Sequence, residues 1–311
     1  MKRLKMLFFK FKRMLRGCAA FAPPPDLSIL LCGDFMLDSR IEPFLARRGL
    51  MYPFGNLART IMGYDVRALN LETPLSRAEG EKWPGKKFNF KGAPYIARML
   101  GRAGFCYASL ANNHILDFGA DVARDTAGEL ENWGIKYSGT TFAPNPRIIF
   151  ANGCRIAFLS FLDGGIAPRG FSEYVLIYGA KSADEIARAK SAADLVIVSI
   201  HWGEELSRHA NARQKKIARE MIDAGAGVVW GHHPHVIQET ERYKDGVIFF
   251  SLGNFIFSHL TPKITRGLMA GLDVRGGKIS AIRLHEIRND NYLVDYAPVC
   301  RTRKPAGQMN F

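Results

Sequence analysis

The feature that most constrains this chain is an alternation of two patterns. Short apolar runs rich in β-branched and aromatic residues recur at residues 28–32, 66–69, 106–110, 155–161, 195–200, 227–230 and 247–251. Between them, residues 93–103, 120–133, 183–193 and 210–224 carry apolar side chains at helical spacing. Strands interleaved with amphipathic helices predict an α/β architecture in which helices cover the sheet faces. Near the end, residues 271–274 and 279–284 flank Arg275-Gly276-Gly277-Lys278, the pattern of a β-hairpin. Residues 292–296 read as one more strand, stopping before Pro298, which cannot donate to a ladder.

The chain has 311 residues, 47% of them hydrophobic, enough for one large core. Residues 26–300 read as a single domain, 1–25 as a leader and linker, and 301–311 as a loose tail. The net charge is +14, and half of it lies before Asp26, in Lys2, Arg3, Lys5, Lys10, Lys12, Arg13 and Arg16. The body is therefore only mildly basic. It carries no aromatic and basic motif of the kind that binds nucleic acid, so no nucleic-acid partner is expected.

On a helical wheel Leu4, Phe8, Phe11 and Leu15 share one face, and the cations spread over the rest. Residues 1–16 read as a basic amphipathic helix suited to an anionic membrane surface. The alternative is a disordered basic leader. Pro23, Pro24 and Pro25 end the segment as a stiff spacer. Secretion is disfavoured, because Lys10, Lys12 and Arg13 interrupt the apolar core that a signal peptide needs. Cys18 follows Arg16-Gly17, a poor fit to a lipid-anchoring site. Five widely spaced cysteines, an odd count, fit a reduced compartment better than a disulfide framework. The expected location is cytoplasmic, with peripheral contact at the inner membrane surface as the variant.

The polar residues carry the chemistry. Nearly every expected strand runs into a carboxylate, amide or imidazole: Asp34 after the first, Asn70 and Glu72 after the second, Asn113 and His114 after the third. Further on come His201, then His232, His233 and His235, then Asn254. In α/β sheets, ligand sites form at the carboxyl ends of strands. Oxygen and imidazole donors without cysteine suit Mn, Fe, Zn or Mg. Taken singly, each has a plainer reading. Asp34 could be a turn residue, His201 a core histidine and Asn113 a helix cap. Three imidazoles around Pro234 at one strand end are harder to explain as a simple turn.

As an ordered set these residues resemble the calcineurin-like metallophosphoesterases. The local wording is closer to the CapA branch, named for poly-gamma-glutamate capsule biosynthesis. The matching strings are Gly33-Asp34-Phe35-Met36, Asn70-Leu71-Glu72-Thr73-Pro74, and Ala111-Asn112-Asn113-His114 with Asp117 and Gly119. They continue with His201-Trp202-Gly203, Gly231-His232-His233-Pro234-His235 and Ser251-Leu252-Gly253-Asn254-Phe255. The resemblance spans residues 27–285.

It implies a four-layer α-β-β-α sandwich with the C-terminal hairpin appended. It also implies that Asp34, Glu72 and His235 hold one divalent ion, and that Glu72, Asn113, His201 and His233 hold a second, with Glu72 bridging. His114 would be the general acid or base. Asp117 would orient it from three residues on, if a helix begins at Asn113. Asn70, His232, Glu205 and Asn254 would touch substrate or support the ligands. The chain departs from the wider pattern at Met36, where a histidine is usual, and at Glu72, where an aspartate is usual. It departs from the branch at Leu206, where a tyrosine is common. The metal count is therefore one or two.

The activity implied is hydrolysis of a phosphoester or related bond by metal-activated water, in the making of a capsule-type polymer. An anionic or peptide-like substrate follows. Two alternatives stay open: a metal-dependent peptide epimerase or amide-bond enzyme, and a non-catalytic accessory subunit of a polymer synthesis or export complex. Elsewhere, Gly164-Gly165 and Gly170 mark a loop over the site. Lys86 and Lys87 read as a solvated loop, with anion contact as the alternative. His209, His259 and His285 read as surface or structural.

Overall fold

The computed structural model describes residues 26–258, 265–290, 293–296 and 309–310. The basic leader, the proline linker, Cys18, Cys300 and His259 lie outside the described residues.

The first sheet contains β1 (Leu27–Met36), β2 (Val66–Leu71), β3 (Tyr107–Ser109) and β4 (Lys136–Ser138), all parallel in that order. On the other side of β1 the antiparallel hairpin β13 (Arg266–Arg275) and β14 (Lys278–Asp290) extends the sheet, followed by β15 (Leu293–Tyr296). Strand β12 (Asn254–Phe257) pairs with the end of β1, and β16 (Met309–Asn310) pairs with β14. The second sheet is built on parallel strands β6 (Cys154–Asp163), β8 (Leu195–His201), β9 (Val228–His232) and β11 (Gly246–Phe249). Antiparallel β5 (Arg147–Ala151) and β10 (Thr240–Tyr243) close its edges, and the two-residue β7 (Ile177–Tyr178) pairs with β6.

Each central strand is apolar on both faces because each sheet is covered on both. Alternate residues show it. Ile29 and Leu31 of β1 meet Ile156, Phe158, Ile197 and Trp230 of the second sheet in the core between the sheets. Leu30 and Cys32 point the other way. There they pack in a core shared with Ile96, Met99 and Leu100 of one helix and Ala123, Ala127 and Leu130 of another. On the far side, Val196, Val198 and Ile200 pack with Ile186, Ala189, Ile217 and Met221. These helices are α3 (Tyr95–Arg102), α4 (Gly119–Asn132), α5 (Ser182–Ala192) and α6 (Ala212–Asp223), after two short ones, α1 (Glu42–Arg48) and α2 (Ala58–Met62). The result is the expected four-layer α-β-β-α sandwich with its hairpin, which turns at Gly276 and Gly277.

Several expectations are corrected in detail. The strand expected over 247–251 does not run on to a polar end at Asn254: β11 stops at Phe249, the chain crosses to the first sheet, and Asn254 opens β12. Gly253 makes this crossing possible. Its φ is +68°, and its carbonyl oxygen would lie 1.9 Å from a Cβ on Gly33, so only glycine fits at both positions. No helix starts at Asn113. Residues 112–118 form successive turns, and α4 begins only at Gly119. Within the expected tail, Met309–Asn310 pairs as a strand. Among the described residues, no helix is long and apolar enough to cross a membrane. Cys32, Cys106 and Cys154 are free thiols, the first fully buried.

Candidate metal centre

The strand ends of both sheets meet at one place. Asp34 of β1 and Asn70 of β2 face His201 of β8 and His232 of β9, and all four are buried. Glu72 follows β2 directly, and its N–H donates to the Phe35 carbonyl, which carries it back over β1. His233 and His235 follow β9 and both hold left-handed backbone, with φ of 96° and 57°. Side chains with a Cβ rarely adopt this region, and each such residue costs on the order of 1–3 kcal/mol. The strain turns both imidazoles back toward Asp34 and Glu72. The His233 N–H donates to Asp34 Oδ2 at 3.2 Å, which holds the turn.

Asp34 is heavily partnered. Its Oδ1 accepts from Asn70 Nδ2 at 2.9 Å, and its Oδ2 lies 3.3 Å from His235 Nδ1. His232 Nδ1 is 3.0 Å from Oδ1, off a hydrogen-bonding angle. His235 Nδ1 also meets Asn254 Oδ1 at 2.9 Å. On the other side, His201 Nε2 is 3.0 Å from Asn113 Oδ1, and its Nδ1 is 3.3 Å from Asn70 Nδ2.

Glu72 differs from Asp34. It is fully buried and neither carboxylate oxygen has a hydrogen-bond partner. His201 Nε2 and His235 Nε2 stand 3.5 Å and 3.7 Å from its Oε1. Two clusters share it: Asp34, Glu72 and His235, and Glu72, His201 and His233, each with donor atoms within 4.8 Å of one another. A third cluster joins exposed Glu205 to His233 and His235 from the solvent side.

The protein's own groups set strongly displaced protonation. Burial pushes the Glu72 carboxyl well above its ordinary range, and Asp34 and Glu205 add to this while His235 opposes it. Burial works the same way on Asp34, but His232 and His235 outweigh it and hold the carboxyl well below the usual range. Burial and the neighbouring His233 hold His201 well below its ordinary value. Burial and His235 bring His233 to about 3, leaving it neutral with one ring nitrogen's lone pair available. Burial pulls His235 down, yet Glu72 and Asp34 outweigh it and push it up to about 10.

His114 and Asp117 stand beside this cluster. The turn that includes the bond from Asp117 N–H to the His114 carbonyl, 3.0 Å, brings the two side chains together without a helix. His114 Nδ1 lies 2.7 Å from Asp117 Oδ2. Because an ionised carboxylate only accepts, Nδ1 carries the proton and Nε2 the lone pair. Burial keeps the ring neutral by lowering its pKa, against the pull of Asp117. Asn112 secures the turn: its Nδ2 donates to the Leu71 carbonyl at 2.8 Å, and its Oδ1 accepts from the His114 N–H at 3.1 Å.

Lys86 is the residue that sequence reading placed wrongly. It is no solvated loop lysine. It donates to Asp117 Oδ1 and to the Asn113 carbonyl, with its side chain 11% exposed. Its segment has no periodic pattern, and only tertiary packing reveals its place. Leu206 is 45% exposed with φ of +63°, and its N–H donates to the Pro234 carbonyl at 2.9 Å. His209 is exposed, and His285 bonds the Tyr64 hydroxyl at 2.8 Å, away from the cluster.

Two layers of helix around two mixed sheets, with carboxylates, amides and imidazoles converging at the strand ends, define a metallophosphoesterase-type fold. Solved structures agree. A phosphatase from Mycoplasma pneumoniae superposes with a TM-score of 0.57 at 14% identity, over 86% of this chain and 95% of its own. A hypothetical protein from Thermus thermophilus gives 0.55 at 18% identity, over 85% and 100%. At the level of sequence, residues 28–259 match the family described as bacterial capsule synthesis protein PGA_cap, and the chain belongs to that family. The capsule biosynthesis protein CapA of Bacillus anthracis is 32% identical over 245 residues, 74% of this chain and 60% of its own length. The PGA biosynthesis protein CapA of Bacillus subtilis is 33% identical over 242 residues, 74% and 63%. This chain thus spans about three-fifths of the length of these relatives. A Mycobacterium tuberculosis protein, described as a probable polyglutamine synthesis accessory protein, is 29% identical over 213 residues, 62% and 55%.

Proposed function

We propose that this chain is a divalent-metal-dependent hydrolase that cleaves a phosphoester or related bond during synthesis of an anionic polymer of the capsule or poly-glutamate kind. The observation that carries it is Glu72: a buried carboxylate with two unpartnered oxygens, shared by two clusters of nitrogen and oxygen donors. A buried carboxyl that has no hydrogen-bond partner, and that burial pushes above its ordinary range, calls for a cation to stabilise its ionised form. The donor set has no thiolate, which suits Mn, Zn, Fe or Mg. Asp34, Glu72 and His235 would hold one ion, and Glu72, Asn113, His201 and His233 the second. Family membership and the names of the Bacillus relatives support the polymer pathway.

Bound divalent ions would lower the pKa of a water and draw charge from a phosphoryl oxygen. The chain's own residues do the rest. Asn70 holds Asp34 in place and Asn254 holds His235. His114 offers Nε2 as a proton acceptor, and can return that proton to a leaving oxygen, while Asp117 fixes the ring through Nδ1. The mild positive charge of the body favours an anionic substrate.

The test is hydrolysis of a panel of phosphomonoesters and phosphodiesters by the manganese- or zinc-loaded protein, beside His114→Ala. The expected result is turnover that falls by about 10²- to 10⁴-fold in the variant, the usual contribution of a positioned acid or base. Equal rates for both proteins would remove His114 from the chemistry. No turnover by a protein that binds metal would favour the accessory role that the name of the Mycobacterium tuberculosis relative describes.

A further inference from the structure

The loop between β2 and α3 is long and irregular, and it delivers one buried cation. Lys86 Nζ donates to Asp117 Oδ1 and to the Asn113 carbonyl. It stands 5.7 Å from the ring centre of Phe171, which is fully buried and packs edge-on against Trp83 at 5.0 Å. The Trp83 N–H donates to the Asp117 carbonyl at 2.9 Å, and the Phe90 N–H donates to Asp117 Oδ2 at 2.7 Å. Three segments therefore close around one ammonium group: residues 83–90, the turn at 113–117, and the loop ending at Phe171.

Burying an ammonium is costly unless charged or strongly polar acceptors receive it. A plain turn has no need of one. Here the ammonium spans a main-chain carbonyl at one end of the turn and a carboxylate at the other. It occupies Oδ1 of Asp117, which leaves Oδ2 for His114 Nδ1 and the Phe90 N–H.

We infer that Lys86 is a positioning residue for His114: it clamps Asp117 against the Asn113 carbonyl, so that the imidazole keeps its proton on Nδ1 and presents Nε2 as the free acceptor. The same ammonium offsets the charge of Asp117. An orienting carboxylate is thereby added beside Asp34 and Glu72 without adding net negative charge where an anionic substrate would enter. Lys86 Nζ lies 3.2 Å from His114 Nδ1, and with the proton on Nδ1 this is a contact between two donors, held together by the carboxylate that both serve. The inference rests on His114 being the proton-transfer group, but the clamp itself can be tested without any turnover.

The experiment compares wild type, Lys86→Met and Lys86→Cys, the last before and after alkylation with bromoethylamine, which rebuilds a lysine-like amine. The first readout is the His114 tautomer by ¹H–¹⁵N correlation in histidine-labelled protein, assigned with His114→Gln. The signal of His285, which bonds the Tyr64 hydroxyl, reports that the fold is intact. Wild type and the alkylated variant are expected to hold a single Nδ1–H tautomer, and Lys86→Met a mixture. The second readout is kinetic: kcat falls about 10- to 100-fold in Lys86→Met, the usual cost of losing an orienting partner, with KM changed far less. Alkylation restores kcat, and alkylated wild type controls for the other thiols. A Lys86→Met protein that keeps the wild-type tautomer overturns the inference, as does an alkylated variant that regains neither readout. Lys86→Gln replaces Lys86→Met if that variant does not fold. Should wild type hydrolyse nothing, the proposed function fails while the tautomer comparison still decides the clamp.

Discussion

Asp117 and Glu72 lie at the same end of the sandwich, and both are fully buried. Asp117 takes hydrogen bonds from Lys86, His114 and the Phe90 N–H. Glu72 takes none, and the nearest nitrogens, on His201 and His235, stand beyond normal hydrogen-bond length. The first carboxylate belongs to a polar network that the chain completes by itself. The second belongs to one that the chain's own side chains leave open, as the proposed metal site requires. Burial alone therefore does not tell a carboxylate that the chain satisfies from one that it leaves open; the partners of its oxygens do.

The largest expected effect is on the closed network. Asp117→Asn should destabilise the protein by about 3–5 kcal/mol, because Lys86, largely buried, keeps the Asn113 carbonyl but loses its carboxylate partner. Urea unfolding of the metal-free protein measures this directly. Glu72→Gln should move the same measurement far less, by about 1–3 kcal/mol, since the carboxyl it replaces has no hydrogen-bond partner to lose. Equal destabilisation by both substitutions would break the comparison.

A smaller effect concerns protons. With its pKa at about 10, His235 holds a proton at neutral pH that a coordinating nitrogen must give up. Metal uptake should release that proton, and apparent affinity should rise with pH until about 10, by about tenfold per pH unit for each proton released. Calorimetric titrations in buffers of different ionisation heat read the count. Metal uptake without proton release would mean that another group supplies the ligand.

The central strands were legible because two-sided burial makes them continuous apolar runs, as in 195–200 and 228–230. The long helices were legible by their spacing. The three-residue strands β3 and β4 are too short to show a period, although β3 was caught by the longer apolar run around it. Strand β12 is hidden because Gly253, the residue that permits the crossing between sheets, reads in sequence as an ordinary turn glycine. Asp34, Glu72, His201, His233 and His235 stood out because polar groups ended apolar strands. Lys86 did not, since a lysine in an aperiodic loop reads as solvated until the partners it reaches are known. Helix spacing predicts the His114 and Asp117 contact, but successive turns supply it.

The most direct test is metal content by elemental mass spectrometry, on protein purified without chelators or a histidine tag, beside Glu72→Ala. If Glu72 bridges a binuclear centre, wild type should carry about two divalent ions per chain, and the folded variant should lose most of both. Wild type that takes up no metal even after Mn²⁺ or Zn²⁺ is added, or a variant that holds as much as wild type, would contradict the account.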